Sequence, residues 1–326
     1  MSNIYADSEK LKAELKVFKL RATKEKVILA GIILLLLVEL IFVISFLKKA
    51  GFLGNDEPTT PYVAVINFNK EITVDYINNI EEKMEALKAN KQVKEVLIVF
   101  NTPGGSPSAS DEFNAYLKDY TKTKKVNVYV ESMAASGGYY IVSAIKPIIA
   151  NRNAIVGSIG VIMPHYVVGK LAKKLGIEQD NIAVGKYKEP ISLFEKASAS
   201  QKRYLYSHLL NPTYDNFLNV VANDRNLTLK KLKIYADGKI YVANQVKGVL
   251  VDEISTLIAT KKSIKKEVAK KFKLKEQDIK FYKVSLEKKS LPFFKIEVEN
   301  TTLNTLANGF NLKWNHYSDM ELQQKR

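Results

Sequence analysis

Ser136 stands in the segment AASGGYY, flanked by small residues and followed by Gly137 and Gly138. Such a segment lets a strand turn sharply into a helix, leaving the hydroxyl exposed and the next amide open, so that one turn supplies a nucleophile and an oxyanion donor. A lone serine of this kind reads more simply as a helix cap. The segment NTPGGS, residues 101–106, changes that balance. Gly104 and Gly105 tolerate positive φ and leave their amides unshielded, so the Gly105 amide beside that of Gly137 would hold a developing oxyanion. Oxygen and nitrogen chemistry is also what the composition leaves open. The chain has no cysteine and three histidines, which excludes thiol catalysis and disulfides and argues against a histidine-rich metal centre. No metal or organic cofactor is expected.

Both glycine segments follow apolar runs that must position them. YVAVINF (62–68), KEVLIVF (94–100) and VNVYVES (126–132) read as strands, and VDYINNIEEKMEALKAN and SASDEFNAYLKDYTK between them have helical spacing. Strands alternating with helices imply an α/β domain with largely parallel pairing, in which the glycine segments fall at strand ends, where ligand and catalytic sites gather.

In order along the chain, NTPGGS, AASGGYY and VGSIGVI resemble the signal peptide peptidase A family, also called protease IV, with its N-S-P-G-G-S-like loop, A-A-S-G-G-Y-Y and T-G-S-I-G-V-I. LAKKLGIEQDNIAVGKYKEPIS is similar to that family's lysine-bearing segment, and ADGKIYVANQVKGVLVDEI to its closing stretch, so the likeness covers residues 60–257. The resemblance implies a crotonase- or Clp-protease-like spiral of ββα units and a Ser-Lys dyad: Ser136 as nucleophile, Lys188 as general base 52 positions on, and Ser158 orienting that lysine. Lys186 lies two residues from Lys188, and a shift of register would give it the role. Val184 stands where the family usually has a serine before the glycine of the lysine motif, and Thr102 replaces the serine of the glycine loop; neither removes a catalytic group. A lysine serves as base near neutral pH only if its pKa of about 10.4 is lowered, which an apolar setting from Tyr187, Ile191 and Leu193 would do. The resemblance further implies remnant signal peptides and other membrane-derived peptides as substrates, cleaved through an acyl-enzyme, and a homo-oligomer whose neighbouring subunits complete the site.

Residues 27–47 form an apolar run of 21 with a single charge, Glu39. At about 1.5 Å per residue it matches a hydrocarbon core of roughly 30 Å, and Lys48 and Lys49 follow in place of a cleavage site. Seven lysines and arginines from Lys10 to Lys26 precede it, so the positive-inside rule places the N-terminus in the cytoplasm and the rest outside, on a bacterial inner membrane. The expected organisation is a cytoplasmic stub (1–26), a transmembrane helix (27–47), a linker (48–60), a peptidase domain (61–262) and a basic accessory segment (263–326).

The net charge of +16 is uneven: residues 261–326 hold sixteen lysines and arginines against eight acids. A solvated surface explains this more simply than nucleic acid, which is not expected as a partner, whereas the lipid bilayer is. Three other readings differ in class. One is a Clp-type Ser-His-Asp peptidase using His165, 29 residues after Ser136; another is a catalytically silent crotonase-like membrane scaffold; the third is an acyl-CoA enzyme, which the anchor disfavours. His208 and His316 are assigned no role.

Overall fold

The computed structural model describes residues 2–49, 58–286, 290–291 and 294–297. They fall into two units, one comprising residues 1–57 with 287–326 and the other Pro58–Leu286. In the first, a single helix, α1 (Ser2–Lys49), contains the apolar run; its stretch Lys24–Leu47 has a mean hydropathy of 3.3 and is not buried among the described residues. That length and composition suit a bilayer crossing. Two short strands, Ser290–Leu291 and Phe294–Glu297, pair antiparallel.

The second unit is a mixed α/β domain. Its first strands are β1 (Tyr62–Phe68), β2 (Val93–Thr102) and β3 (Val126–Ala135), and the helices α2 (Val74–Ala89) and α3 (Pro107–Tyr120) cross between them. Near-continuous apolar runs make these strands parallel and buried on both faces. One face packs Ile66, Ile98, Phe100 and Val128 against Ile80, Met84 and Phe113 of the crossing helices. The other packs Val65, Leu97, Val99 and Tyr129 beneath Ile264 and Val268 of α9 (Leu257–Phe272). Thr73, Ser106 and Thr256 start α2, α3 and α9 by accepting backbone N–H groups.

The sheet forks at β3. Its register against β2 slips after Val130, skipping Glu131 and Ser132. Before the slip it pairs with β4 (Ile148–Ala150), and after it with β5 (Ile155–Gly157). A bulge bends and twists its strand, which is how one strand serves two neighbours. Beyond β5 lies antiparallel β6 (Ile240–Val242), beyond β4 lies β7 (Glu253–Ile254), and β8 (Lys280–Lys283) pairs with the opposite side of β1. This forked stack of strand and helix units is the expected α/β spiral. Residue 262, where the sequence suggested a domain edge, falls inside α9, because Ile264 and Val268 are needed to cover the sheet.

Candidate active site

The turn at Ser136 joins β3 to α4 (Gly137–Val142) with φ 52° and ψ −124°. This is a costly conformation for a residue with a Cβ and persists only where surrounding bonds impose it. Here they do: the Ser136 amide donates to the Gly157 carbonyl at 2.9 Å, and the Ser136 carbonyl accepts from the amides of Tyr139 and Tyr140 at 2.9 and 3.0 Å. The side chain makes no cap hydrogen bond. The backbone holds the helix start, so the helix-cap role is not the one the hydroxyl performs.

The second glycine loop closes on this turn. Ile72 clamps it from below, its amide donating to the Gly104 carbonyl and its carbonyl accepting from the Ser106 amide, each at 2.8 Å. Gly104 has φ 109°, and a Cβ placed on it would lie 2.8 Å from Ser136 Cβ and 2.9 Å from the Gly137 nitrogen. A Cβ on Gly137 would meet Ser110 Oγ at 2.3 Å and the Gly105 nitrogen at 3.4 Å. Contacts this close admit only glycine. They bring the Gly105 and Gly137 amides together beside Ser136, and neither amide donates to a partner among the described residues. Such a pair is what an oxyanion needs. Thr102, fully buried, donates to the Lys70 carbonyl at 2.7 Å and accepts from Gly104, and its methyl fills the space beside Gly138.

Ser158 follows β5 as Ser136 follows β3. Because Ala135 pairs with Gly157, the two serines come next to each other at the ends of adjacent parallel strands. Ser158 also has φ 52°, its amide held by the Lys239 carbonyl at 2.7 Å. Both serines are half-buried.

Lys188 is placed differently. It ends a turn in which its amide donates to the Gly185 carbonyl at 3.0 Å, and its side chain is exposed. No hydrogen bond joins it to Ser136 or Ser158 among the described residues. Leu193, expected to help bury it, is 58% exposed. The segment just before it leaves Ile182 and Val184 almost bare, at 99% and 97% exposure, and Ile162, after Ser158, is 84% exposed. Lys186 lies over the Tyr187 ring, 5.3 Å from its centroid. His165 bonds through Nε2 to the Ser192 carbonyl at 2.7 Å, which occupies the nitrogen a Clp-type base would use.

A polar network beneath α4 was not foreseen. Arg225, at the end of α7 (Asn211–Arg225), grips Asp252 with two bonds of 3.0 and 2.7 Å, and Asp252 also accepts the Ile148 amide at 2.7 Å. Burial pushes the Asp252 carboxyl up, but Arg225 and the Ile148 amide outweigh it and hold it below the usual carboxylate range. Tyr139 donates to the Leu250 carbonyl at 2.9 Å, and burial drives its phenol well above the ordinary value. On the other side, Asp224 accepts from Asn114 and Ser143, and Tyr140 donates to Asp111 at 2.6 Å. Tyr139 and Tyr140 were visible in AASGGYY, but nothing in the sequence linked them to Asp252 or Asp224. Among the described residues no cluster of three or more histidine or acidic side chains forms a metal site.

The description "Peptidase family S49" matches residues 118–271, a span that includes Ser136, Ser158 and Lys188. "Probable protease SohB" of Haemophilus influenzae is 30% identical over 242 residues, covering 72% of this chain and 67% of that protein. The chain belongs to peptidase family S49. "Putative protease MJ0651" of Methanocaldococcus jannaschii is 40% identical over 182 residues, 56% of this chain and 57% of that protein. "Putative signal peptide peptidase SppA" of Enterococcus faecium is 34% identical over 194 residues, 58% and 55% respectively. This S49 chain therefore spans little more than half the length of those two relatives. The Gly104–Gly105 loop lies outside the S49 match yet packs directly on the Ser136 turn inside it.

Proposed function

We propose that the chain is a membrane-anchored serine endopeptidase with a Ser136–Lys188 dyad, acting on remnant signal peptides and other membrane-derived peptides. The observation that carries this reading is the Ser136 turn, strained and not used as a cap, facing two unengaged amides from Gly105 and Gly137. Neutral Lys188 takes the Ser136 proton, the alkoxide attacks a peptide carbonyl, and the two amides hold the oxyanion. The leaving amine takes the proton from Lys188. Water activated by the same lysine then hydrolyses the acyl-enzyme. Ser158, beside Ser136, orients the lysine. Lys188 is favoured over Lys186 because Lys186 is occupied over Tyr187, whereas Lys188 has no partner among the described residues.

The lysine's exposure and the bare Ile182 and Val184 just before it in the chain support a homo-oligomer in which a neighbouring copy buries this segment and completes the site. The helix Lys24–Leu47 anchors the chain in a bacterial inner membrane, and the basic residues before it place the N-terminus in the cytoplasm and the catalytic domain outside. The name of the Enterococcus faecium relative supports the substrate class.

The test is hydrolysis of an apolar fluorogenic peptide by the full chain in lipid nanodiscs, comparing Ser136→Ala, Lys188→Ala and Lys186→Ala. Loss in the first two with retention in the third is expected. Activity surviving Ser136→Ala would overturn the reading.

A further inference from the structure

Lys188 sits between two fastened neighbours. On one side, Glu189 accepts from Gln179 Nε2 at 2.9 Å and from Asn181. On the other, the Tyr187 ring lies flat on that of Tyr204, with centroids 4.2 Å apart and planes 5° from parallel. Tyr204 is stacked in turn on His208, at 4.8 Å and 23°.

The element carrying Tyr204 is built to hold still. It is α6 (Ala199–Leu205), which starts with a reciprocal capping box between Ser198 and Gln201. It runs into a π-helical turn, Tyr206–Leu210, before α7. Pro212 brings no backbone N–H to the ladder there, and Ser207 and Thr213 hydroxyls take up the Arg203 and Leu209 carbonyls at 2.8 and 2.7 Å. His208 lies four residues after Tyr204, so the two rings share one helix face. Ser207 Oγ lies 2.7 Å from His208 Nδ1, which fixes the imidazole plane.

We propose that Tyr204 is a positioning residue for Lys188, acting through Tyr187. Tyr187 is the third residue of the turn closed by the Lys188 amide on the Gly185 carbonyl, so the ring that docks on Tyr204 sets the orientation of the whole turn. Gly185, with φ 102°, opens that turn in a conformation other residues rarely adopt, and the stack on Tyr204 holds its far end. Lys188 is thereby presented on a fixed stem while its own side chain stays free to reach a serine. The inference rests on the reading of Lys188 as the general base.

The test uses the full chain in nanodiscs, with peptide hydrolysis and the rate of fluorophosphonate labelling of Ser136 as readouts. Tyr204→Leu keeps apolar bulk without an aromatic face, and Tyr204→Phe keeps the face without the hydroxyl. Misplacing a catalytic group costs on the order of 100-fold, so Tyr204→Leu is expected to lower kcat by about 10- to 100-fold with KM nearly unchanged. Tyr204→Phe should stay near wild type. In a Lys188→Ala background Tyr204→Leu should cost nothing further. Thermal melting and light scattering of each variant should match wild type. Near-normal kcat in Tyr204→Leu, with Lys188→Ala inactive, would overturn the positioning role and leave the dyad standing. Loss in Tyr204→Phe equal to that in Tyr204→Leu would assign the effect to the hydroxyl and overturn the stack. An active Lys188→Ala would remove the dyad itself.

Discussion

Ser136 and Ser158 adopt the same left-handed φ of 52° side by side at the ends of two paired strands, and a single bond from the Ser136 amide to the Gly157 carbonyl ties the two turns together. Positive φ is a cost at any residue with a side chain, and a glycine would relieve it at either position. That both strained turns carry serine and not glycine therefore points to their hydroxyls. Ser158→Gly separates the two effects. It is expected to raise stability by about 1 kcal/mol by relieving the backbone, yet to lower kcat by about 10-fold or more if the hydroxyl orients the base. Thermal melting and steady-state kinetics on the same preparation check both. A stable Ser158→Gly enzyme of normal activity would leave Ser158 with no part in the reaction.

The glycine pair makes a second prediction, in which geometry ranks the variants. Gly137→Ala places a Cβ 2.3 Å from Ser110 Oγ, a side-chain atom that can be removed. Gly105→Ala places one 2.2 Å from the Ile72 carbonyl oxygen, which cannot. Each substitution keeps the backbone N–H but pushes its loop out of place, so each should cost about 100-fold in kcat, the scale of a misplaced oxyanion donor. Adding Ser110→Gly should restore part of the activity of Gly137→Ala and none of that of Gly105→Ala. Equal rescue of both would mean that the loops do not meet as described.

Much of this site was legible in the sequence because its logic is local. A serine before two glycines and a separate glycine pair are signals of backbone shape, and the apolar runs before them read directly as strands ending at the site. What stayed hidden depends on register and on distant contacts. The pairing of Ala135 with Gly157 decides that Ser136 and Ser158 are neighbours, and no spacing in the chain states a register. The grip of Arg225 on Asp252 joins residues 27 apart in sequence across two elements. The surroundings of Lys188 were expected to be apolar, from Tyr187, Ile191 and Leu193; one copy of the chain leaves the lysine exposed instead.

The Arg225–Asp252 pair predicts an acid sensitivity. The Arg225 side chain is 2% exposed, so removing its partner leaves a buried charge unpaired. Asp252→Asn should destabilise the fold by about 3–5 kcal/mol. The Asp252 carboxyl is held below its ordinary value in the folded state. Its contribution is therefore fully present above the unfolded pKa of about 3.9 and is lost as pH falls through the folded value. Thermal melting from pH 7 down to pH 2 should show a steeper fall below about pH 4 in wild type than in Asp252→Asn. Parallel curves would show that the acid response arises elsewhere.

Glu95 carries the opposite sign. It lies on β2 fully buried, with Oε2 accepting from Asn127 at 2.8 Å and Oε1 without a partner among the described residues. Burial pushes its carboxyl above the ordinary range, and the Asn127 bond only partly offsets this. The folded state thus binds a proton more tightly than the unfolded chain. That stability is fully present below the unfolded pKa of about 4.3 and is lost as pH rises through the raised folded value. Glu95→Gln keeps the shape without the titration. Above that window it should be more stable than wild type, because the neutral amide escapes the cost of a charge in a buried place. At pH 4 the two should be nearly equal. Denaturant midpoints at pH 4 and pH 8 decide the matter, and a wild type more stable than Glu95→Gln at pH 8 would mean that the Glu95 carboxylate finds a compensating charge, with Lys125 and Lys271 the cations that act on it.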